Sequence, residues 1–300
     1  MISADPGKLE RYARDIAFRE AWADLAACWG DEAEEILSRL AFVLFKPEAV
    51  LARRLEEATG ELERHGFAPV LWRLVRLDRN LVRGVWRYEL AEAPLATLAA
   101  VDIAATAGVC LLVWVRDDRP EPGRYASVRL ASLKGPTRQE GRRPGQIRYR
   151  LRNPALLLNF LHTPDEPADA VRELGVLFSA DERLAIFREL RAARNVSLEP
   201  AFAAAYAETP PHPLDLDASL ELLAREHDAP EAGTIASLLG GRAADEELVV
   251  RLIRWLDTQA VRLPRPDRAV LAAHLLGLVP RPEGPAAATY TPGPRLRPRS

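Results

Sequence analysis

The sequence predicts an α+β fold, a split βαβ sheet with helices, followed by an all-helical C-terminal appendage. Three apolar runs typical of strands, at residues 41–45, 67–77 and 109–115, alternate with amphipathic helical stretches. A fourth apolar run, at residues 155–161, is followed by one further helix. This order of strands and helices is typical of a ferredoxin-like sheet, whereas residue 181 onward shows only helical periodicity.

The region before the first strand, residues 1–39, is an N-terminal extension that we expect to be helical from residue 7. Gly30-Asp31 interrupts its periodicity. Apolar residues at helical spacing usually form a packed face, so we expect this extension to pack on the sheet domain.

The central elements follow from capping and breaking signals. Pro47 ends the first strand after Lys46, and His65-Gly66 closes the helix that follows. The predicted elements are, in order, strand 41–45, helix 50–64, strand 67–77, a helix capped by Asp78, helix 94–105 and strand 109–115. The last of these strands is apolar throughout, which predicts burial on both faces.

The segment of greatest interest is Asn159-Phe160-Leu161-His162-Thr163-Pro164-Asp165. Thr163 resembles a helix N-cap and Pro164 a first helical residue, so we expect a helix to begin there and to continue to Phe178. Free N–H groups at a helix N-terminus favour anions, and an imidazole there can meet a phosphate. An isolated histidine in such a place is more often structural.

A basic run extends from Arg116 to Arg152 and contains few acidic residues. Such a run is often only a solvated face, but guanidinium groups also bind phosphate oxygens bidentately. Glycine and proline stand at both ends of its loop, residues 135–144, which is typical of an ordered loop at a site.

Four motifs in this order resemble the nucleoside diphosphate kinase family. They are Lys46-Pro47-Glu48-Ala49-Val50 after the first strand, Gly135-Pro136-Thr137 with Pro144-Gly145-Gln146-Ile147-Arg148, the Asn159–Asp165 segment, and Glu173-Leu174-Gly175-Val176-Leu177-Phe178. The resemblance covers roughly residues 40–180 and supports the ferredoxin-like fold.

The resemblance implies a phosphotransferase. His162 would take the γ-phosphoryl group from a nucleoside triphosphate and give it to a (di)phosphate acceptor. Lys46 would contact the transferred group and Glu173 would hold the histidine ring. The remaining implied contacts are Thr137 and Arg148 to phosphates, Asn159 to the sugar hydroxyl and Trp86 as the aromatic residue of the nucleotide site. Mg²⁺ would arrive on the nucleotide, and no protein metal site is expected.

The sequence departs from the family pattern at three places. Ala131 stands where the family has an arginine, Trp86 stands where it has a tyrosine, and Thr163-Pro164 replaces the Gly-Ser after the histidine. Arg129 could replace the missing arginine only if its helix were locally re-registered. Losing one phosphate contact slows or redirects such an enzyme without abolishing it. The alternative is a non-catalytic nucleotide-binding or scaffold protein that retains the fold.

Composition narrows the remaining functions. A formal net charge of −2 among 300 residues argues against nucleic acid as a partner, and no stretch approaches a membrane span. Two cysteines, Cys28 and Cys110, are too few for a disulfide framework, so we expect a cytoplasmic protein. Nucleoside tri- and diphosphates are the expected partners, and a homo-oligomer remains open.

The C-terminal third is predicted to be a helical appendage, residues 181–279, without residues that indicate chemistry. His212 lies in a proline-rich turn, and His227 and His274 are predicted on helices without acidic or cysteine partners at ligand spacing. From residue 280 the chain is rich in proline and glycine, which predicts a disordered tail to residue 300. The candidate helices are 181–193, 201–207, 217–226, 233–239, 245–256 and 267–276.

Overall fold

The computed structural model describes residues 2–192, 194–241, 244–260 and 262–279, so the predicted tail from residue 280 lies outside the described residues. The N-terminal extension forms helices α1 Pro6–Tyr12, α2 Ile16–Trp29 and α3 Ala33–Arg39, with a 3₁₀ turn at Gly30–Glu32. This confirms the predicted helices and the break between them.

The sheet has four antiparallel strands in the order β2-β3-β1-β4. The strands are β1 Leu40–Phe45, β2 Phe67–Val75, β3 Cys110–Asp117 and β4 Leu161–His162. The first and second strands are separated by β3, as in a split βαβ unit. The predicted α+β, ferredoxin-like sheet is therefore confirmed.

Helices connect the strands and extend the chain on both sides. The central helices are α4 Pro47–Leu51, α5 Leu55–Arg64, α6 Arg79–Val85, α7 Arg87–Leu90, α8 Leu95–Ala105, α9 Ala126–Lys134, α10 Ile147–Leu151 and α11 Pro167–Leu177. The C-terminal helices are α12 Ala180–Arg191, α13 Glu199–Glu208, α14 Leu216–Glu226, α15 Pro230–Leu239, α16 Glu246–Thr258 and α17 Arg265–Gly277. Each predicted C-terminal helix is present, with shifted ends.

Both faces of the sheet are covered. Val43 and Phe45 of β1 join one apolar cluster with α5, α8 and the C-terminal helices. Phe42 and Leu44, on the opposite face, join a second cluster with α2, α11 and α12. Strand β3 alternates in the same way and is buried along nearly its whole length, as its apolar sequence predicted. The N-terminal extension therefore supplies core.

One predicted helix is wrong in its continuity. The stretch 50–64 is two helices, α4 and α5, separated by a turn at Arg53, whose φ is +55°. A left-handed residue costs about 1–2 kcal/mol and ends a helix. The Arg53 guanidinium offsets this cost, because it donates to the carbonyl oxygen of Thr209 at 2.8 Å and lies 4.2 Å from the Tyr206 ring centroid.

The predicted start of the helix after His162 is also wrong. Helix α11 begins at Pro167, with Glu166 as its N-cap instead of Thr163. Glu166 and Asp169 form a capping box, in which each side chain accepts from the backbone N–H of the other. Among the described residues, Thr163 forms no such reciprocal pair, so the helix begins at Glu166-Pro167 and not at Thr163-Pro164. Residues 163–166 thus separate His162 from the helix N-terminus.

Candidate active site

Strand β4 places His162 at the end of the sheet. His162 pairs with Leu44 and Leu161 with Phe45, and the Lys46 backbone N–H donates to the Phe160 carbonyl oxygen at 2.9 Å. The predicted apolar run 155–161 contributes only Leu161 to the strand. These pairings bring the histidine segment beside the Lys46 motif, which lies more than a hundred residues earlier in the chain.

A strained turn precedes the histidine. Phe160 has φ +69°, and the Leu161 N–H donates to the Asn159 carbonyl oxygen at 2.9 Å, the pattern of a classic γ-turn. Glu48, which is 2% exposed, accepts from the Phe160 N–H at 3.1 Å. The turn therefore rests on a buried carboxylate that the Lys-Pro-Glu motif supplies.

Glu173 fixes the ring of His162. Its Oε2 lies 2.8 Å from His162 Nε2, and helix α11 carries it into the interior, where it is buried. Burial raises the pKa of Glu173, and the neighbouring His162 counteracts part of that rise. Because a carboxylate can only accept, the proton of the neutral ring lies on Nε2. The lone pair of His162 is then on Nδ1.

Trp86 faces that second nitrogen. Its indole N–H points at His162 Nδ1 over 3.4 Å, and the two rings meet edge to face with centroids 5.2 Å apart. A neutral contact of this length holds the nitrogen weakly. Nδ1 is therefore the ring nitrogen with the weaker protein contact.

The N-terminal extension supports this arrangement. Arg172, next to Glu173, donates to Asp15 at 2.9 Å and to the carbonyl oxygens of Gly84 and Val85, directly before Trp86. Arg172 and Asp15 are both buried. Burial acts to raise the Asp15 pKa, but the pKa is lowered overall because Arg172, Tyr88 and the Phe18 N–H together favour the carboxylate. Hydrogen bonds from Arg172 thus hold the C-terminal end of α6 against α11.

Arg148 organises the loop on the other side of the site. It is buried and donates to four oxygens, those of the Gly135 and Leu161 carbonyls, Thr137 Oγ1 and Asn159 Oδ1. Its Nε is buried without a protein partner among the described residues. Burial, reinforced by Arg142, lowers the pKa of this guanidinium. Thr137, Arg148 and Asn159 thus meet in one network, and their phosphate and sugar roles stay predictions.

Lys46 lies at the start of α4 with its ammonium turned inward. Nζ donates to the Leu157 carbonyl oxygen at 2.6 Å and pairs with Glu48 at 2.8 Å. The side chain is 12% exposed, so a phosphate at the site can reach it only by sharing it with Glu48. Its role as phosphate contact stays a prediction.

The structure places Arg129 away from the site. Its guanidinium pairs with Asp117 and lies 4.1 Å from the Phe67 ring centroid. Helix α9 is therefore not re-registered, and Arg129 does not replace the arginine that the family has at the position of Ala131. The same helix ends at Lys134, whose Nζ donates to the Thr163 carbonyl oxygen at 3.1 Å.

Sequence reasoning counted Lys134 only as one charge in the basic run. The structure places it beside the residue that follows His162. Lysine occurs at three positions in this arginine-rich chain, and that scarcity was a signal that could have singled it out.

A second histidine with a carboxylate partner lies in the appendage. His212 Nε2 is 3.2 Å from Asp267 Oδ1, and Ser219 Oγ donates to the same oxygen at 2.9 Å. His212 Nδ1 accepts from the Leu214 N–H, so the ring has no free nitrogen to activate Ser219. The three side chains therefore form a structural clamp that sequence spacing did not reveal.

Neither a metal-binding cluster nor a membrane-spanning helix occurs in the described part of the chain. Among the described residues, no group of three or more His, Cys, Asp or Glu side chains could hold a metal ion. In the same part of the chain, no helix combines the length and the apolar character needed to cross a membrane.

Comparisons with known proteins find similarity to the central part of the chain. Residues 40–183 match the family model described as nucleoside diphosphate kinase. This central part of the chain is therefore similar to nucleoside diphosphate kinases. Relatives include the nucleoside diphosphate kinases of Pyrococcus furiosus, 28% identical over 47% of this chain and 83% of the relative, and of Metallosphaera sedula, 26% identical over 47% and 94%.

A solved structure of Aquifex aeolicus nucleoside diphosphate kinase also matches, at 19% identity and a TM-score of 0.39, over 47% of this chain and 95% of its own. The family and sequence matches support a nucleoside-diphosphate-kinase-like function for the central domain. The helices before residue 40 and after residue 183 lie outside the matched region.

Proposed function

We propose that the kinase domain moves a γ-phosphoryl group from a nucleoside triphosphate to a (di)phosphate acceptor through a phosphohistidine at His162. The observation that carries this proposal is the pairing of Nε2 with buried Glu173, which leaves the lone pair on Nδ1. A neutral imidazole held in one tautomer is a competent nucleophile for phosphorus.

The phosphoryl group would be transferred in two steps, first to His162 and then to the acceptor. Nδ1 forms a bond to the γ-phosphorus while the bond from phosphorus to the bridging oxygen breaks, and that oxygen leaves with the electron pair. In the second step an acceptor oxygen attacks the phosphorus and the Nδ1–P bond breaks. Glu173 stabilises the positive charge that the ring acquires, through the proton on Nε2.

The remaining predicted residues would bind the nucleotide. We propose that Lys46 contacts the transferred group, Thr137 and Arg148 the other phosphates, Asn159 the sugar hydroxyl and Trp86 the nucleotide near the ring of His162. The unpartnered Arg148 Nε supports this reading, because a buried donor without an acceptor favours an anionic ligand.

Magnesium would accompany the nucleotide. The donors in the segments that meet near His162 are ammonium, guanidinium, hydroxyl and amide groups, whereas the carboxylates Glu173, Glu48 and Asp165 are each hydrogen-bonded or ion-paired to protein groups. This set fits phosphate oxygens, so Mg²⁺ would be held by the nucleotide, where it neutralises phosphate charge. Residues 181–279 would pack on this domain without contributing reacting groups, and the cytoplasmic location stays a prediction.

Incubation with γ-labelled ATP tests the proposal. Wild type and His212→Ala should acquire label that is stable in alkali and lost in acid, and His162→Ala should acquire none. His212 is the matched control because it too has a carboxylate partner. Absence of label from wild type that still binds ATP would favour the non-catalytic, nucleotide-binding alternative. Label persisting in His162→Ala would refute the assignment of the nucleophile.

A further inference from the structure

Lys134 carries a buried ammonium that contacts the residue following His162. Its side chain is 12% exposed, and Nζ contacts two groups, the Thr163 carbonyl oxygen at 3.1 Å and Asp165 Oδ1 at 3.3 Å. The Asp165 side chain is 65% exposed. The ammonium therefore contacts the backbone of the residue after His162. Its ionic partner is a largely exposed carboxylate at a long distance.

The other cations near the site have shorter ionic contacts or more hydrogen-bond partners than Lys134. Lys46 pairs at 2.8 Å with Glu48, which is almost fully buried. Arg148 donates to four protein oxygens, and Arg129 is bonded to Asp117. Burying a charge costs free energy unless it is paired, so Lys134, whose one ionic contact is long, gains from a closer anion. Burial accordingly lowers its pKa, and the nearby Arg148 lowers it further, against Asp165 and Glu173.

We propose that Lys134 binds an oxygen of the transferred phosphoryl group, supplying the cation that Ala131 cannot. This inference rests on the proposed function. On substrate binding, an Nζ–H would donate to a non-bridging oxygen of the γ-phosphate, and the ammonium would exchange Asp165 for it. No proton is transferred: the Nδ1–P bond forms, the P–O bond to the leaving diphosphate breaks, and Lys134 stabilises the charge on the phosphoryl oxygens.

Helix geometry supplies a rescue test. Ala131 lies three residues before Lys134 in α9, and residues at this spacing share a helix face. A guanidinium introduced at position 131 should therefore reach the same phosphate when the ammonium is missing. A purely structural role, in which Lys134 only bonds the Thr163 carbonyl oxygen, predicts no such rescue.

The experiment measures the single-turnover rate of phosphohistidine formation and the calorimetric affinity for tripolyphosphate. Lys134→Met should lower both by about 10- to 100-fold, the value of one charge-assisted hydrogen bond. Lys134→Arg should retain most of both, and Lys134→Met combined with Ala131→Arg should regain at least half of the logarithmic loss. Asp165→Asn should raise the tripolyphosphate affinity, because it removes the partner that phosphate displaces.

Two results would overturn the inference. One is a Lys134→Met protein whose rate and tripolyphosphate affinity stay within about twofold of wild type. The other is a loss that Ala131→Arg does not repair. If wild type forms no phosphohistidine, the proposed function fails, and the tripolyphosphate affinities alone decide whether Lys134 binds phosphate.

Discussion

Gly175 lies where α11 crosses α2, two residues after Glu173. A Cβ at this position would clash with the carbonyl oxygen of Ala17. It would also lie 2.7 Å from the Ala17 carbonyl carbon and 3.1 Å from the Cβ of Ala21. Carbon atoms pack best at about 3.5–4.0 Å, and a helix backbone cannot turn aside as a flexible side chain can. Gly175→Ala must therefore push α11 away from α2.

The expected change follows from two opposing effects. Replacing glycine by alanine inside a helix stabilises it by about 1 kcal/mol, whereas a clash with backbone reaches the upper end of overpacking costs, about 3 kcal/mol. Gly175→Ala should thus lower the free energy of unfolding by about 2 kcal/mol. Gly60→Ala in α5 is the control, because its Cβ would meet no heavy atom of the described residues within 4 Å. It should raise that free energy by about 1 kcal/mol.

Urea unfolding followed by far-UV circular dichroism measures both changes. Because displacement of α11 also moves Glu173 from His162, Gly175→Ala should slow phosphohistidine formation while Gly60→Ala leaves it unchanged. Stabilisation by both substitutions would refute the close helix crossing and the support it gives to the His162–Glu173 pair.

Three further predictions concern the N-terminal extension, acid pH and the appendage. Arg172→Met breaks the buried ion pair with Asp15 and should lower the free energy of unfolding in urea by about 3–5 kcal/mol. The control Arg73→Met, which removes the exposed pair with Glu189, should lower it by about 0–1 kcal/mol. Equal losses would contradict a stabilising role for the buried pair. Burial raises the pKa of Glu173 above the ordinary 4.5, so as the pH falls this carboxyl is protonated in the folded protein at a higher pH than in the unfolded chain. That protonation favours the fold while removing the acceptor for His162, so phosphorylation should fail at an acid pH where circular dichroism still shows native structure; loss of both together would contradict this. Leu271→Ala, at a fully buried position of α17, should cost about 2–5 kcal/mol of stability while leaving the labelled fraction of folded protein unchanged, and a selective loss of label would place the appendage in the site.

Much of the fold could be predicted because its signals are local. The strand runs, the cap at Asp78 and the helix-ending His65-Gly66 each depend on neighbours in sequence. The boundaries that failed depend on distant partners. Arg53 breaks the helix after Pro47 because its guanidinium reaches Thr209, and α11 begins at Pro167, where Ser3 and Lys8 of the extension bind the capping Glu166.

The candidate site divides in the same way. The roles of His162 and Glu173 were predicted from two motifs that resemble the family, and the structure brings the two side chains within 2.8 Å. The inward turn of Arg148 and the ammonium of Lys134 depend on how residues 135–165 fold back on themselves, which residue spacing does not encode. Scarcity of lysine was the one sequence property that set Lys134 apart.

The most direct test of the central claim asks which ring nitrogen of His162 receives phosphate. Protein phosphorylated by ATP can be isolated under alkaline conditions, and its ³¹P and proton–nitrogen NMR spectra distinguish phosphate on Nδ1 from phosphate on Nε2. Because Glu173 holds Nε2, we predict a single phosphohistidine at Nδ1 of His162, absent from His162→Ala. Phosphate on Nε2, or no phosphohistidine in protein that binds ATP, would contradict the account.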